Sequence, residues 1–201
     1  MNEHAFRLMF VTLFPRAQNG ILDAIYEIAI PRLDLENDMR LAFFIAQTSH
    51  ESMGYHTLRE LGRDSYFERY EGRNDLGNTH PGDGPRFRGR GILQVTGRSN
   101  YERLAREEMI QEIMVDPTLL ENPNLATISC CWYWEKFDLN RFADRCILNR
   151  FADHRIDANK LKDEQFKSLT KAINGGYNGL EKRRVMLSRV EDAISSFGVF
   201  E

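Results

Sequence analysis

Residues 47–60 read QTSHESMGYHTLRE and carry two glutamates, Glu51 and Glu60, nine positions apart with Gly54 between them. On one unbroken helix, nine steps of about 100° would put the two carboxyls on opposite faces, about 13 Å apart along the axis. A helix that ends at Gly54 instead lets the chain double back and set Glu60 across a cleft from Glu51. Two carboxyls so related suit glycosidic bond cleavage: one gives its proton to the leaving oxygen, and the other activates water or attacks directly. Glu51, at the end of an apolar helix, is the acid candidate, and Glu60, among Arg59, Arg63 and Asp64, suits the ionised partner. Spacing alone does not overturn the plainer reading of a salt bridge and a solvated side chain, because most glutamates are exposed.

A second polar pair stands in GRGILQVTG, where the alternation of an extended segment would send Gln94 and Thr96 to one side. An amide and a hydroxyl facing the glutamates could hold a water and an N-acetyl group; a Gly-flanked edge strand with an ordinary polar face is the competing reading. His50-Glu51 begins like the zinc motif HExxH, but the second histidine would fall at Gly54. His56 has the wrong spacing, and His4, His80 and His154 are scattered, so no metal cluster is visible. GNTHPGDG lacks the GK[ST] of a phosphate loop. Asn174-Gly175-Gly176 reads as a helix cap and turn, and Trp132, Tyr133 and Trp134 as core and rim.

These groups need elements to hold them. Asn37 and Asp38 can cap a helix in which Leu41, Phe44, Ile45 and Thr48 recur at helical spacing, ending just after Glu51. Apolar stripes predict further helices around 21–30, 101–112, 127–137, 163–173 and 179–196. Residues 72–91 are rich in Gly, Asn, Asp and Pro and read as a long functional loop, followed by ILQV as a short strand or extended segment. NRFAD occurs at 140–144 and again at 149–153, too few copies to make a repeat architecture.

The 201 residues fit a single domain that buries roughly 70% of its unfolded surface. A net charge of −3 gives no overall pull toward nucleic acid or an anionic membrane. Arg86, Arg88, Arg90 and Arg98 nevertheless occur without an acid between 85 and 99, so that segment either meets an anionic polymer or is a solvated face. Three cysteines without a CxxC pair predict free, partly buried thiols. LMFVTLF follows only one arginine and precedes no cleavage motif, so no signal peptide is expected, and no apolar run approaches the roughly 20 residues that span a bilayer.

Taken in order, AQTSHES at 46–52, YEGRNDLGNTHPGDGPRFRGRGILQVTGRSNY at 70–101, NPNLAT at 122–127 and INGGYNG at 173–179 resemble the catalytic domain of glycoside hydrolase family 19, the chitinase-like group that includes many phage endolysins. The resemblance covers about residues 40–185, and the second block is closest to the endolysins. It implies a mainly α, lysozyme-like, two-lobed helical fold with a substrate cleft and at most a small β element, one catalytic domain over 1–201 without a separate wall-binding domain, and no cofactor. It places the general acid at Glu51 and the general base at Glu60, with Glu71 as second choice, because some members put the base about twenty residues on. Thr96 falls on the water-positioning hydroxyl and Gln94 on its amide neighbour. Asn100 and Asn174 fall on substrate-contacting positions, and His50 belongs to the HE motif. The family inverts configuration, which calls for carboxyls about 6.5–9.5 Å apart. Phage lysozymes of the T4 type share the acid spacing, but their threonine would fall on Tyr66.

The resemblance leaves the substrate open between peptidoglycan and chitin, and between muramidase and glucosaminidase cleavage. Peptidoglycan is preferred, on the endolysin-type block and the local arginines. An endolysin of this kind would be made in the host cytoplasm, need a holin-like partner for export, act on the wall in the periplasm, and work as a monomer without nucleic acid or stable membrane insertion. A non-catalytic glycan-binding protein and a nucleic-acid binder using RFRGRG are the alternatives from other classes.

Overall fold

The computed structural model describes the backbone of residues 1–152 and 157–201 and the side chains of 1–149 and 157–201; His154 and the end of the second NRFAD copy lie outside the described residues. Helices dominate, and β structure among the described residues is limited to two isolated antiparallel bridges, Arg59 with Arg90 and Arg90 with Val95. The first helix, α1 (Glu3–Leu13), was not expected from the apolar run it contains. Its signal was the cap: Asn2 Oδ1 accepts from Ala5 N at 3.1 Å, and Ala5, Phe6, Met9 and Phe10 then fall on one buried face. The expected helix over 21–30 is α2 (Ile21–Ala24), a π turn (Ile25–Ala29) and α3 (Ile30–Arg32), the wide turn preceding Pro31, which has no N–H to give.

Central to the fold is α4 (Asp38–Glu51), capped by Asn37 Oδ1 accepting from Arg40 N at 2.9 Å and buried at ten of its fourteen positions. One short helix, α5 (Asp64–Phe67), precedes the long loop, and another, α6 (Asp83–Arg86), forms within it. The helix expected to reach residue 112 stops early as α7 (Arg98–Glu107), where Met109 turns left-handed at φ 56°, and resumes as α8 (Glu112–Val115). The other expected helices are α9 (Pro123–Lys136), α11 (Ala158–Asn174) and α12 (Leu180–Phe197), and α10 (Asn140–Ala152) begins at the first NRFAD copy. Among the described residues no helix is long and apolar enough to cross a membrane.

Two cores form. The larger gathers α1, α4, α9, α11 and α12 around Phe6, Phe43, Phe44, Trp134, Phe166 and Val190. The smaller holds Phe87, Tyr101, Leu104, Ile113, Leu120 and Trp132. Helix α9 serves both, which is why it is apolar nearly all round: Cys130, Cys131 and Trp134 face one core, Trp132 the other, and half-buried Tyr133 packs against each. The thiols of Cys130, Cys131 and Cys146 are buried rather than partly buried; burial raises the Cys130 thiol well above its ordinary range and Cys131 to about 12.

The loop is held from within by charge. Asp83, its side chain 1% exposed, accepts from Arg98 Nε at 2.8 Å and from His80 N at 3.0 Å. Buried Asn78 ties Tyr70 O to Arg98 N. The arginines of this segment are therefore not the free basic face that the sequence allowed. Arg90 is buried on Glu121 and Tyr101, Arg88 pairs with Asp64, Arg98 with Asp83, and exposed Arg86 donates to the carbonyls of Met114 and Val115.

The Arg98 guanidinium holds the Asp83 carboxyl below the usual carboxylate range. A carboxyl depressed in the folded state stabilises it above the unfolded value, near 3.9, and that contribution is lost as pH falls through the lower folded value. Asp83→Asn is accordingly expected to lower the unfolding free energy by about 3 kcal/mol at neutral pH. Urea titrations from about pH 6 down to about pH 2 should show wild type and variant converging in acid. Parallel curves at all pH values would remove this ion pair from the acid response.

Candidate active site

Glu51 is the last residue of α4, and the chain reverses immediately after it. Met53, Gly54 and Tyr55 take successive left-handed conformations at φ 53°, 71° and 61°, and Gly54 N closes on Ser49 O at 2.6 Å. The strain at Tyr55 is offset by burial: its ring packs on Phe10 and Phe14, and its hydroxyl bonds Thr48 Oγ1 at 2.7 Å. Leu58 is then buried, and Glu60 N donates to Gly89 O at 2.8 Å, fixing Glu60 against the next segment.

The Glu51 carboxylate does not stand in an apolar setting. Oε1 accepts from Arg183 Nη2, and Arg183, 1% exposed, also donates through Nη1 to Gln47 Oε1 at 2.7 Å and through Nε to Asn178 O at 3.3 Å. Gln47 Nε2 in turn donates to Thr170 Oγ1 at 2.8 Å. The network ties α4 to α11 and α12 and leaves the acid oriented rather than mobile. Sequence reasoning missed Arg183, although a signal existed: it shares the stripe of Leu187, Val190 and Ile194, and a cation on the apolar face of a helix needs a buried partner.

Glu60 Oε1 accepts from Arg69 Nη2 and from the Tyr70 hydroxyl, each at 3.0 Å, while Oε2 accepts from Gly89 N at 3.3 Å. Burial raises the Tyr70 phenol, with Arg69 opposing and Glu60 reinforcing the shift, so it is a proton donor at ordinary pH. Gly89 is the pivot. A Cβ at this buried glycine would lie 2.9 Å from Gln94 Oε1, 3.2 Å from Glu60 Oε2 and 3.2 Å from Thr96 Oγ1. Three side-chain oxygens thus converge where a side chain is missing.

Gln94 and Thr96 do not reach that point by strand alternation. Instead of an extended ILQV, the chain makes a tight reversal closed by Arg90 N to Val95 O at 3.1 Å and Val95 N to Arg90 O at 2.8 Å. Gln94 itself is left-handed at φ 54°, held by its Nε2 donating to Gly91 O at 2.7 Å. The Thr96 hydroxyl donates to Gln94 O at 2.8 Å, which leaves its lone pairs for an incoming donor.

Asn100 Nδ2 donates to Thr96 O at 2.8 Å. Asn174 ends α11, where its Oδ1 accepts from Gly176 N at 3.1 Å and Gly175 caps the helix at φ 73°. His50 packs against Gly179, where a Cβ would stand 2.3 Å from the ring; burial first and then Arg183 push the imidazole below its ordinary value, so it is neutral at pH 7. Glu71 serves the loop, since its oxygens accept from Gly82 N at 2.7 Å and Gly84 N at 3.3 Å, and it does not join the group around Gly89. Glu68 is exposed.

A cavity of about 370 Å³ opens beside this group, lined by Gln94, Thr96, Asn100, Tyr133 and Ile173 among others. Tyr133 stands in its wall, its hydroxyl toward the carbonyls of Ala172 and Ile173; burial, and then the Glu51 charge, raise the phenol. A larger depression of about 780 Å³ lies between the start of α4 and the end of α12, but its wall holds none of the candidate residues. Chemistry rather than volume selects the smaller cavity.

A mainly helical chain with two cores and a polar cavity has a lysozyme-like architecture. The chain belongs to glycoside hydrolase family 19: the family model described as chitinase class I matches residues 33–199. A glycosyl hydrolase family 19 domain-containing protein of Haemophilus influenzae is 26% identical over 202 residues, covering 87% of this chain and 89% of that protein. An acidic endochitinase of Petunia hybrida is 31% identical over 170 residues, covering 82% of this chain, which spans only 61% of the petunia protein. Chitinase C from Streptomyces griseus superposes with a TM-score of 0.67 at 18% identity, over 97% of this chain and 78% of that one. A bacterial family 19 chitinase gives 0.62 at 17%, over 93% of each. At those identities the structural likeness speaks for the fold, which is the one the sequence resemblance implied.

Proposed function

We propose that this glycoside hydrolase is an endolysin that cleaves β-1,4 bonds of bacterial peptidoglycan by inverting acid/base catalysis. The observation that carries the mechanism is the convergence of Glu60 Oε2, Gln94 Oε1 and Thr96 Oγ1 on Gly89, beside a cavity walled by Gln94, Thr96 and Tyr133. In its protonated form Glu51 gives its proton to the departing glycosidic oxygen and is left as the carboxylate that Arg183 holds. A water donates one hydrogen to Glu60 Oε2 and the other to Thr96 Oγ1, whose own hydrogen is given to Gln94 O. As Glu60 takes the first of these as a proton, the water oxygen attacks the anomeric carbon from the face opposite the leaving group, and the C–O bond breaks with inversion.

The endolysin-type block at 70–101 supports peptidoglycan as the substrate. The arginines of 85–99 no longer do, since they serve the fold. In this reading the enzyme, a monomer, reaches the periplasm through a membrane opened by a holin-like partner. Chitin is the second reading, favoured by the endochitinase and chitinase relatives.

Incubation with peptidoglycan and, separately, with chitin oligomers, followed by borohydride reduction and mass spectrometry, tests the proposal. Reduced muramic ends would define a muramidase and reduced glucosamine ends from the wall a glucosaminidase. Products from chitin alone would make it a chitinase. Products from neither would leave a non-catalytic glycan-binding protein.

A further inference from the structure

The chain carries more acids than bases, 30 against 27, yet two cations in the wall of the cleft make no direct ion pair among the described residues. Arg103, on the exposed side of α7, and Lys136, the last residue of α9, line the same cavity as Thr96, Asn100, Tyr133 and Phe137. No described carboxylate pairs with either side chain, although the neighbouring Arg98 and Arg106 are paired. Glu107 is close enough for its charge to act on Lys136, but its Oε2 accepts from Trp132 Nε1 at 2.6 Å and its Oε1 faces Arg106 at 3.6 Å.

Unpaired surface cations are ordinary on a solvated face. These two differ in place and in restraint. The Lys136 ammonium is held 4.4 Å above the Trp132 ring and 6.0 Å from that of Phe137, which limits its freedom to swing into solvent. Burial first, then Arg103 and Arg106, push its pKa below the usual lysine range, with Glu107 opposing but not cancelling the shift. Three cations, Arg103, Arg106 and Lys136, thus share one described carboxylate, Glu107, already engaged by Trp132, and the cavity that Arg103 and Lys136 border is the one assigned to the glycan.

We propose that Arg103 and Lys136 form a carboxylate-binding subsite at the rim of the cleft, which selects glycans bearing an acid substituent over neutral N-acetylglucosamine polymers. The inference rests on the reading of this cleft as the glycan site. Two carboxylate sources share the required chemistry: the lactyl group of a muramyl residue and the peptide attached to it. A carboxylate between a planar guanidinium and an ammonium gains charge-assisted hydrogen bonds from both, whereas a neutral hydroxymethyl or acetamide group does not.

The test measures binding without turnover. The full chain carrying Glu51→Gln is titrated calorimetrically with chitotetraose, with a peptide-free muramyl tetrasaccharide and with the same tetrasaccharide carrying its peptide, at low and high salt. The acidic ligands should bind roughly three- to tenfold more tightly than chitotetraose, and added salt should erode that preference. Adding Arg103→Gln and Lys136→Gln should abolish it, whereas Lys136→Arg should retain it, with far-UV circular dichroism checking that each variant is folded. Preference already present without peptide places the carboxylate on the lactyl group; preference only with peptide places it there. Equal affinity for neutral and acidic ligands, or a preference that survives the double substitution, would overturn the subsite. Hydrolysis of peptidoglycan by the unsubstituted protein is scored separately. Its absence alongside an intact binding preference would sink the endolysin reading and not the subsite.

Discussion

Glu51→Gln should reduce turnover by about 10³-fold or more, because the amide fills the same space but has no acidic proton to give the leaving oxygen. The substitution also reaches the buried Arg183 guanidinium, which would face an amide oxygen in place of a carboxylate. Gln retains an acceptor, and Glu51 is 21% exposed, so the loss of stability should be near 1–2 kcal/mol rather than that of a fully buried pair broken outright. The variant should therefore remain folded, bind glycan and fail to cleave it. Initial rates on wall and oligosaccharide substrates, read beside a thermal melt, separate these effects. A folded Glu51→Gln protein that keeps most of its activity would remove Glu51 from the acid's role.

Much of this arrangement was legible because local chemistry determined it. Asn37 could cap a helix and does so at α4, and the chain reverses just after Glu51 as expected, although Met53 and not Gly54 takes the first left-handed position. Asn174-Gly175-Gly176 likewise ends α11 as a cap and turn. What escaped was non-local or unusual in conformation. Arg183 meets Glu51 across 132 positions of sequence, and only its place on an apolar stripe hinted at a buried partner. Gln94 and Thr96 were read onto one side by alternation, a rule for extended chain; they lie together because Gln94 adopts a backbone conformation uncommon outside glycine. The run of arginines misled for a related reason. Charge in sequence does not say which charges the fold will use, and here the loop needed them for Asp83, Glu121 and Asp64.

Gly89→Ala tests whether the convergence around this residue is what catalysis requires. Gly89 is not left-handed, so alanine brings no backbone strain, and the consequence is steric. The new methyl would sit 2.9 Å from Gln94 Oε1, a separation that must open, and 3.2 Å from both Glu60 Oε2 and Thr96 Oγ1. All three are ends of side chains and can yield, so the fold should survive with a modest fall in melting temperature. The chemistry should not tolerate the shift equally well. A water aligned between base and hydroxyl loses its attack geometry when either moves by a fraction of an ångström, and a displacement near 1 Å can cost about 10²-fold. The expected result is a fall in kcat of about that size with KM less affected, since Asn100 and the rest of the cavity wall are untouched. Glu71→Gln is the contrast: it weakens the acceptor for Gly82 N and Gly84 N, so it should lower stability while sparing kcat. If instead Gly89→Ala leaves kcat intact and Glu71→Gln abolishes it, the base is Glu71, and the oxygens gathered at Gly89 serve the fold.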